Sequence, residues 1–301
     1  ANFLLAAGGG WCRDGTKFIA AASCYTGDDP WDMLAHRDEV KPSGALPLGA
    51  VLTLPATGSE MNPIGVISRD STHEKFGFSS EHLYPKFSIL DPETTFSLPK
   101  HQVRNGVVHA FVHTVEQYTT YPVNAPLQDR QAEAILLTLL EEGPKTLQNP
   151  TDYHARANVM WCATQALNQL IGCGVPGDFA THMIGHELTA FYGLAHAESL
   201  AVVLPSLWRH QKAEKQAKLA QMGRRVWGLQ ADEAEVAEQA IERTEAFFHA
   251  LGMPTQMSDF DIPPQEAARK IRQRFDERSV AFGEQGNIDG DAAAEILVMC
   301  R

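Results

Sequence analysis

The first part of the chain carries short apolar runs that do not alternate with polar positions. Phe3-Leu4-Leu5 leads to Gly8-Gly9-Gly10, and Gly49 to Pro55 ends on the polar turn Ala56-Thr57-Gly58-Ser59-Glu60. Ile64 to Ser68 and Lys86 to Leu90 are two further strand candidates, with Lys75 between them. Short runs without alternation suit strands covered on both faces, as in a parallel sheet. Trp11 to Ala22 follows the glycines as a helix, and residues 29 to 49, rich in Pro, Asp and Gly, read as loop around a short helix. Strands interleaved with turns and helices predict an α/β region with a mainly parallel sheet, ending near Pro99.

Beyond Pro99 the pattern becomes helical almost without interruption. The expected helices are Lys100–Tyr118, Leu127–Glu142, Thr151–Gln169, Asp178–Tyr192, His196–His210, Lys212–Trp227, Asp232–Leu251, Pro264–Phe275 and Gly290–Cys300. Gly143-Pro144, Gly174-Val175-Pro176, Gly252-Met253-Pro254 and Ile262-Pro263-Pro264 punctuate them. There is no internal repeat. The chain is therefore expected to divide into an α/β part, residues 1–99, and an all-α part, residues 100–301.

Composition narrows the class. With 44% hydrophobic and 21% charged residues the chain is an ordinary globular one. A net charge of −12 without a basic stripe speaks against nucleic acid as a partner. No apolar run has the length to span a bilayer, which speaks against a membrane protein. Cys12, Cys24, Cys162, Cys173 and Cys300 are odd in number and form no C-x-x-C pair, which argues for a reducing compartment. The N-terminus lacks the layout of a signal peptide. A cytoplasmic enzyme or binding protein is expected.

Two stretches carry candidate chemistry. Strand, glycine turn and helix let backbone N–H groups approach a phosphate at a helix N-terminus, and the hydroxyls of Thr57 and Ser59 lie on a second such turn. The other stretch, Thr181 to His196, holds three of the twelve histidines. His182 and His186 are one helical turn apart, and His196 follows the turn residue Gly193. His109 and His113 repeat the spacing on an apolar helix, where buried imidazoles need partners. A carbonyl or carboxylate would satisfy any one of them, but the whole set in one helical part favours a metal site. His186-Glu187 begins the H-E-x-x-H zinc-protease pattern, yet the fifth position is Ala190, which excludes it.

Gly8 to Phe18 (GGGWCRDGTKF), Leu52 to Glu60 (LTLPATGSE), Leu90-Asp91-Pro92, Asn105 to Gln117 (NGVVHAFVHTVEQ), Thr181 to Ala190 (THMIGHELTA) and His196 to Ala201 (HAESLA) are spaced along essentially the whole chain. In this order they resemble the iron-containing (group III) alcohol dehydrogenases, in particular their NADPH-dependent aldehyde-reductase, butanol-dehydrogenase-like branch. The resemblance implies a Rossmann-like dinucleotide-binding domain, a helical domain, and one divalent metal, Zn or Fe, in the cleft between them. It also implies NADP(H) rather than NAD(H), an aldehyde or alcohol substrate, and a homodimer. Carried over by position, Gly8, Gly9, Gly10 and Asp14 would lie at the cofactor pyrophosphate. Thr53, Thr57 and Ser59 would lie along the cofactor, with Lys75 at its ribose. His113, His182 and His196 match metal ligands, and His186 matches a histidine beside the nicotinamide that is suited to handling a proton.

Three departures stand out. His109 occupies the position of an aspartate ligand, and Trp11 that of a serine after the glycines. Roughly the first 80–90 residues of the family pattern, including the first strand–helix units, have no counterpart, so the Rossmann-like part is expected to be incomplete. An aspartate with three histidines leaves a divalent site near +1, whereas four neutral histidines leave +2. That change shifts preference from Fe²⁺ towards Zn²⁺ or Ni²⁺. The Trp11 indole is expected where a diphosphate approaches the backbone. Two functions from different classes follow: a metal-dependent aldehyde reductase, or an impaired or catalytically dead member that only binds metal or serves a structural role.

Overall fold

The computed structural model describes residues 1–301. Strand β1 (Leu4–Gly8) turns through Gly9 into helix α1 (Gly10–Ala22), and a short helix α2 (Asp32–Ala35) precedes β2 (Leu48–Leu52). Next come β3 (Ile64–Arg69), β4 (Glu74–Ser79) and β5 (Ser88–Ile89). The strands β1, β2 and β5 form a parallel sheet in the order β1-β2-β5, with Leu4 opposite Leu48 and Gly8 opposite Leu52. A small core of Ala20, Ala21, Trp31, Met33, Leu34, Leu48, Phe78 and Leu83 joins α1, β2 and the hairpin β3–β4.

That hairpin corrects the expected sheet. The segment Ile64 to Ser68 does not join the parallel strands but pairs antiparallel with β4, Ile64 opposite Ser79 and Arg69 opposite Glu74. Strand β4 (EKFGFS) was hidden by its charged start and its glycine, and Lys75 lies on it rather than in a connection. The turn between the two strands is made tight by His73, which adopts a left-handed φ of 51°.

All nine expected helices form: α3 (Lys100–Tyr118), α4 (Pro126–Gln148), α5 (Tyr153–Ala166), α6 (Ala180–Tyr192), α7 (His196–His210), α8 (Lys212–Arg225), α9 (Glu233–Ala250), α10 (Pro264–Arg278) and α11 (Gly290–Met299). Several ends differ from expectation by a few residues, and two of them are instructive. Helix α4 runs on through Gly143-Pro144, where a Cβ at position 143 would stand 2.8 Å from Val107 Cγ1. Close packing on α3 thus explains the glycine, and the stop signal is overridden by tertiary contact. Helix α5 ends at Ala166, short of Gln169 with its φ of 73°.

The 51-residue main core lies wholly between Val107 and Cys300. Helix α3 is its axis: every residue from Asn105 to Tyr118 is buried, which is why the helix shows no clear polar face. At its start α3 meets the first part of the chain. A Cβ on Gly106 would press into the Pro55 carbonyl oxygen, so backbone approaches backbone there. Thr164 Oγ1 also donates to Glu60 Oε1 (2.6 Å), and Asn62 Nδ2 donates to the Leu167 carbonyl (3.0 Å).

Alanine is favoured over glycine inside a helix by about 1 kcal/mol, but at position 106 the added methyl has no room. Gly106→Ala is expected to destabilise the protein by about 1–3 kcal/mol, read as a lower urea midpoint. A variant more stable than the wild type would contradict the close approach of α3 to Pro55.

Candidate metal and cofactor site

Helical spacing puts His109, His113 and Glu116 on one stripe of α3, and His182 and His186 on one stripe of α6. The left-handed Gly193 (φ 72°) ends α6 and turns the chain so that His196 opens α7 beside them. The rings gather closely. Centroids lie 4.1 Å apart for His109–His113, 4.7 Å for His113–His182, 4.8 Å for His109–His196 and 4.9 Å for His186–His196. His109, His113 and His182 each offer a nitrogen within 4.8 Å of the other two, close enough to share one ion. His196 lies at the rim of this trio, its ring 5.2 Å from that of His182, and His186 lies farther out at 6.2 Å.

Five ring nitrogens in this group have no hydrogen-bond partner: His109 Nε2, His113 Nδ1, His182 Nε2, His186 Nε2 and His196 Nδ1. Buried polar atoms are almost always paired, so five orphans at one spot mark a missing ligand. Their lone pairs are available because the rings are neutral. Burial, helped by neighbouring positive charge, pushes His109, His113, His186 and His196 well below the ordinary imidazole range and His182 down to about 3.

His182 Nδ1 pairs with Glu116 Oε2, whose other oxygen accepts the Thr181 N–H at 2.8 Å. Burial and then Asp178 raise the Glu116 carboxyl well above its ordinary range. With the shared proton on Nδ1, the Nε2 lone pair of His182 points at the cluster, the usual arrangement behind a metal-bound histidine. Sequence reading did not single out Glu116, although its position three residues after His113 on the same apolar helix was a usable signal.

On the other side, Gly9 caps the N-terminus of α1, and a Cβ on Gly10 would stand 2.6 Å from Thr57 Cγ2. The glycine lets the helix end meet the second turn directly. Thr53 N–H donates to the Gly8 carbonyl (3.2 Å). Thr57 Oγ1 accepts from Arg13 Nη2 (3.3 Å) and from the Ser59 N–H (3.3 Å). Asp14 and Ser59 come together, but as an internal pair: Ser59 Oγ donates to Asp14 Oδ1 (2.7 Å), and the Val66 N–H donates to Oδ2 (3.1 Å). Lys17, also buried, donates to Ser59 Oγ, the Asn62 carbonyl and the Ile64 carbonyl at 2.7–2.8 Å. Lys75 lies on β4, opposite Ser68. Its charge bears on His109, His182, His186 and His196, and burial lowers its own pKa to about 8 while Asp14 opposes that shift. Trp11 does not fill the turn; its side chain stands 84% exposed in solvent.

Comparison with known proteins defines the class. The family model for iron-containing alcohol dehydrogenase matches residues 1–92, and that for the Fe-containing alcohol dehydrogenase family, C-terminal, matches residues 104–296. The chain belongs to the iron-containing alcohol dehydrogenase family. Among its relatives is the NADPH-dependent aldehyde reductase YqhD of Escherichia coli, 52% identical over all of this chain and 78% of that protein. A probable NADH-dependent butanol dehydrogenase of Bacillus subtilis is 41% identical over 88% of this chain and 68% of its own length. The crystal structure of Escherichia coli YqhD matches the whole chain and 77% of that structure with a TM-score of 0.97 at 51% identity. That of NADH-dependent butanol dehydrogenase A from Thermotoga maritima gives 0.93 at 32% identity, over the whole chain and 76% of that structure. The expected fold and family are borne out. The expectation of an impaired or purely structural member finds no support. No helix is long and apolar enough to cross a membrane.

The depressed imidazoles set a pH dependence with a definite sign. An unfolded chain would protonate these histidines near 6.5, whereas the folded, metal-free protein keeps them neutral to far lower pH. Below pH 6.5 the unfolded state therefore binds more protons, and stability is lost as pH falls towards 3. Metal-free protein is expected to lose stability as pH falls below 6.5, by up to about 1.4 kcal/mol per pH unit for each histidine that stays neutral in the fold. Urea unfolding at pH 7.5, 6.0 and 5.0 measures this, and a flat profile would refute the buried neutral cluster.

Proposed function

We propose that this chain reduces small aldehydes to alcohols with NADPH, residues 1–99 holding the cofactor and residues 100–301 holding one divalent ion. The observation that carries the reading is the set of five unpartnered imidazole nitrogens beside a glycine turn at a helix N-terminus. His109, His113 and His182 would hold the ion, with His196 at the rim of the trio as a fourth ligand, and Glu116 orients His182. An all-imidazole set favours Zn²⁺ or Ni²⁺ over Fe²⁺. When bound, the ion polarises the carbonyl oxygen and the nicotinamide supplies the hydride.

The residues of the chain bind, orient and move the proton. The backbone at Gly9 and Gly10, with Thr53 and Thr57, would form the cradle for the diphosphate. Asp14 and Ser59, paired with each other, would brace that cradle, and Lys75 on β4 would bind the cofactor ribose. His186 is neutral at pH 7, so it relays rather than stores a proton, giving up its N–H at one ring nitrogen while accepting at the other. Free cysteines throughout suit a cytoplasmic setting. Association into a homodimer is the reading that the family resemblance supports.

The test is NADPH-dependent reduction of butanal before chelation, after it, and after replenishment with Zn²⁺ or Fe²⁺. Chelation is expected to lower kcat by at least about a hundredfold, with Zn²⁺ restoring it at least as well as Fe²⁺. Turnover that ignores metal in a folded sample would sink the proposal.

A further inference from the structure

Next to His186 on α6 lies Glu187, a buried carboxylate that the reaction does not use. It accepts Arg278 Nη1 at 2.6 Å and Arg274 Nη1 at 2.8 Å, both from α10. The two guanidiniums then reach the β3–β4 hairpin. Arg274 donates to the His73 carbonyl at 2.7 Å, and Arg278 pairs with Glu74 at 3.3 Å while lying over the Phe76 ring at 4.8 Å. Arg274 is itself stacked on Phe191 of α6 at 3.8 Å. Two carboxylates and two guanidiniums balance in charge, so the group can be buried without an uncompensated ion.

The hairpin residues gripped in this way are His73, Glu74 and Phe76. They bracket Lys75. Successive side chains on a strand point to opposite faces, so holding positions 74 and 76 from one side commits Lys75 to the other. Lys75, opposite Ser68 on β3, thus lies on the hairpin face turned away from Arg278, and its approach to the cofactor is the one proposed above. Lys75 Nζ donates no hydrogen bond to another side chain or carbonyl; burial and the opposite charge of Asp14 are what act on it. Its position is therefore set by the backbone of β4, and that backbone is held by the clamp.

We infer that Glu187, Arg274, Arg278 and Glu74 form a positioning device that locks the hairpin to α6 and α10 and so presents Lys75 to the bound dinucleotide. The inference rests on the cofactor reading proposed above, and α6 links the two: the helix that carries His182 and His186 inward carries Glu187 to the clamp.

The experiment uses the full-length, metal-loaded protein and the variants Arg278→Leu, Glu74→Gln and Lys75→Met. The first readout is the rate of Lys75 acylation by a small amine-reactive reagent, followed by peptide mass spectrometry without cofactor or substrate. Loss of the charge-assisted bonds in Arg278→Leu is expected to speed Lys75 labelling about tenfold. The KM for NADPH is expected to rise by about the same factor while kcat changes less than about twofold. Metal stoichiometry should stay at the wild-type value. Glu74→Gln releases only the hairpin end of the clamp and covers the case in which Arg278→Leu fails to fold; it should move both readouts in the same direction. Unchanged labelling in the folded variants would overturn the inference. So would a KM effect of Arg278→Leu that persists undiminished on the Lys75→Met background, because the clamp would then not act through Lys75. If the wild type shows no NADPH turnover, the cofactor reading fails on its own, and the labelling comparison still decides whether the clamp positions Lys75.

Discussion

The pairing of Glu116 on α3 with His182 on α6 is the contact on which the rest of the site depends. It lies inside the helical core, where a lone carboxylate would be strongly disfavoured. The structure satisfies it from several directions. Thr181 N–H donates to its second oxygen, and Asp178, which caps the start of α6, is held by Lys215 at 2.6 Å. Lys215 in turn pairs with Glu284 at 2.8 Å. Lys215 on α8 thus offsets the charge of Asp178, the second carboxylate beside Glu116. The Glu116–His182 pair and the Thr181 N–H tie the start of α6 to α3, and with it the ring of His182 to those of His109 and His113.

The rings themselves are held in a costly state. Five buried nitrogens are left without partners, and the cluster contains no carboxylate close enough to share an ion. An arrangement of this kind destabilises the metal-free protein and stores that cost for the ligand that satisfies it. His109 belongs to the trio with the closest nitrogens, so an imidazole fits where the family pattern has an aspartate. The cofactor side is built differently. There the polar groups are paired internally: Asp14 with Ser59, Lys17 with three oxygens, and Arg13 with Glu60 at 3.3 Å. What stays free is backbone at the glycine turn. The two halves are kept in register by Gly106 against Pro55, Thr164 against Glu60, and the hairpin clamp.

Much of this was legible in the residues. The 3.6-residue period marked every helix of the second part, and histidine spacing identified both helices of the cluster. Local signals failed where distant contacts outweighed them. Gly143-Pro144 reads as a helix end, yet packing against Val107 carries α4 through it. Strand β4 is half charged, and it forms because β3 offers a partner and α6 and α10 offer a surface. Trp11 read as an obstruction because its bulk was visible in the sequence and its direction was not; the indole points to solvent. Glu116 and Glu187 were passed over for a similar reason. A glutamate on a helix is ordinary until the chain folds an imidazole or two guanidiniums against it.

X-ray absorption at the zinc edge of Zn²⁺-loaded protein tests the central claim most directly. The account predicts a shell of nitrogen ligands at about 2.0–2.1 Å with the outer scattering of imidazole rings, and one imidazole fewer in His109→Ala. A shell of oxygen or sulfur, or a spectrum unaltered by His109→Ala, would contradict it.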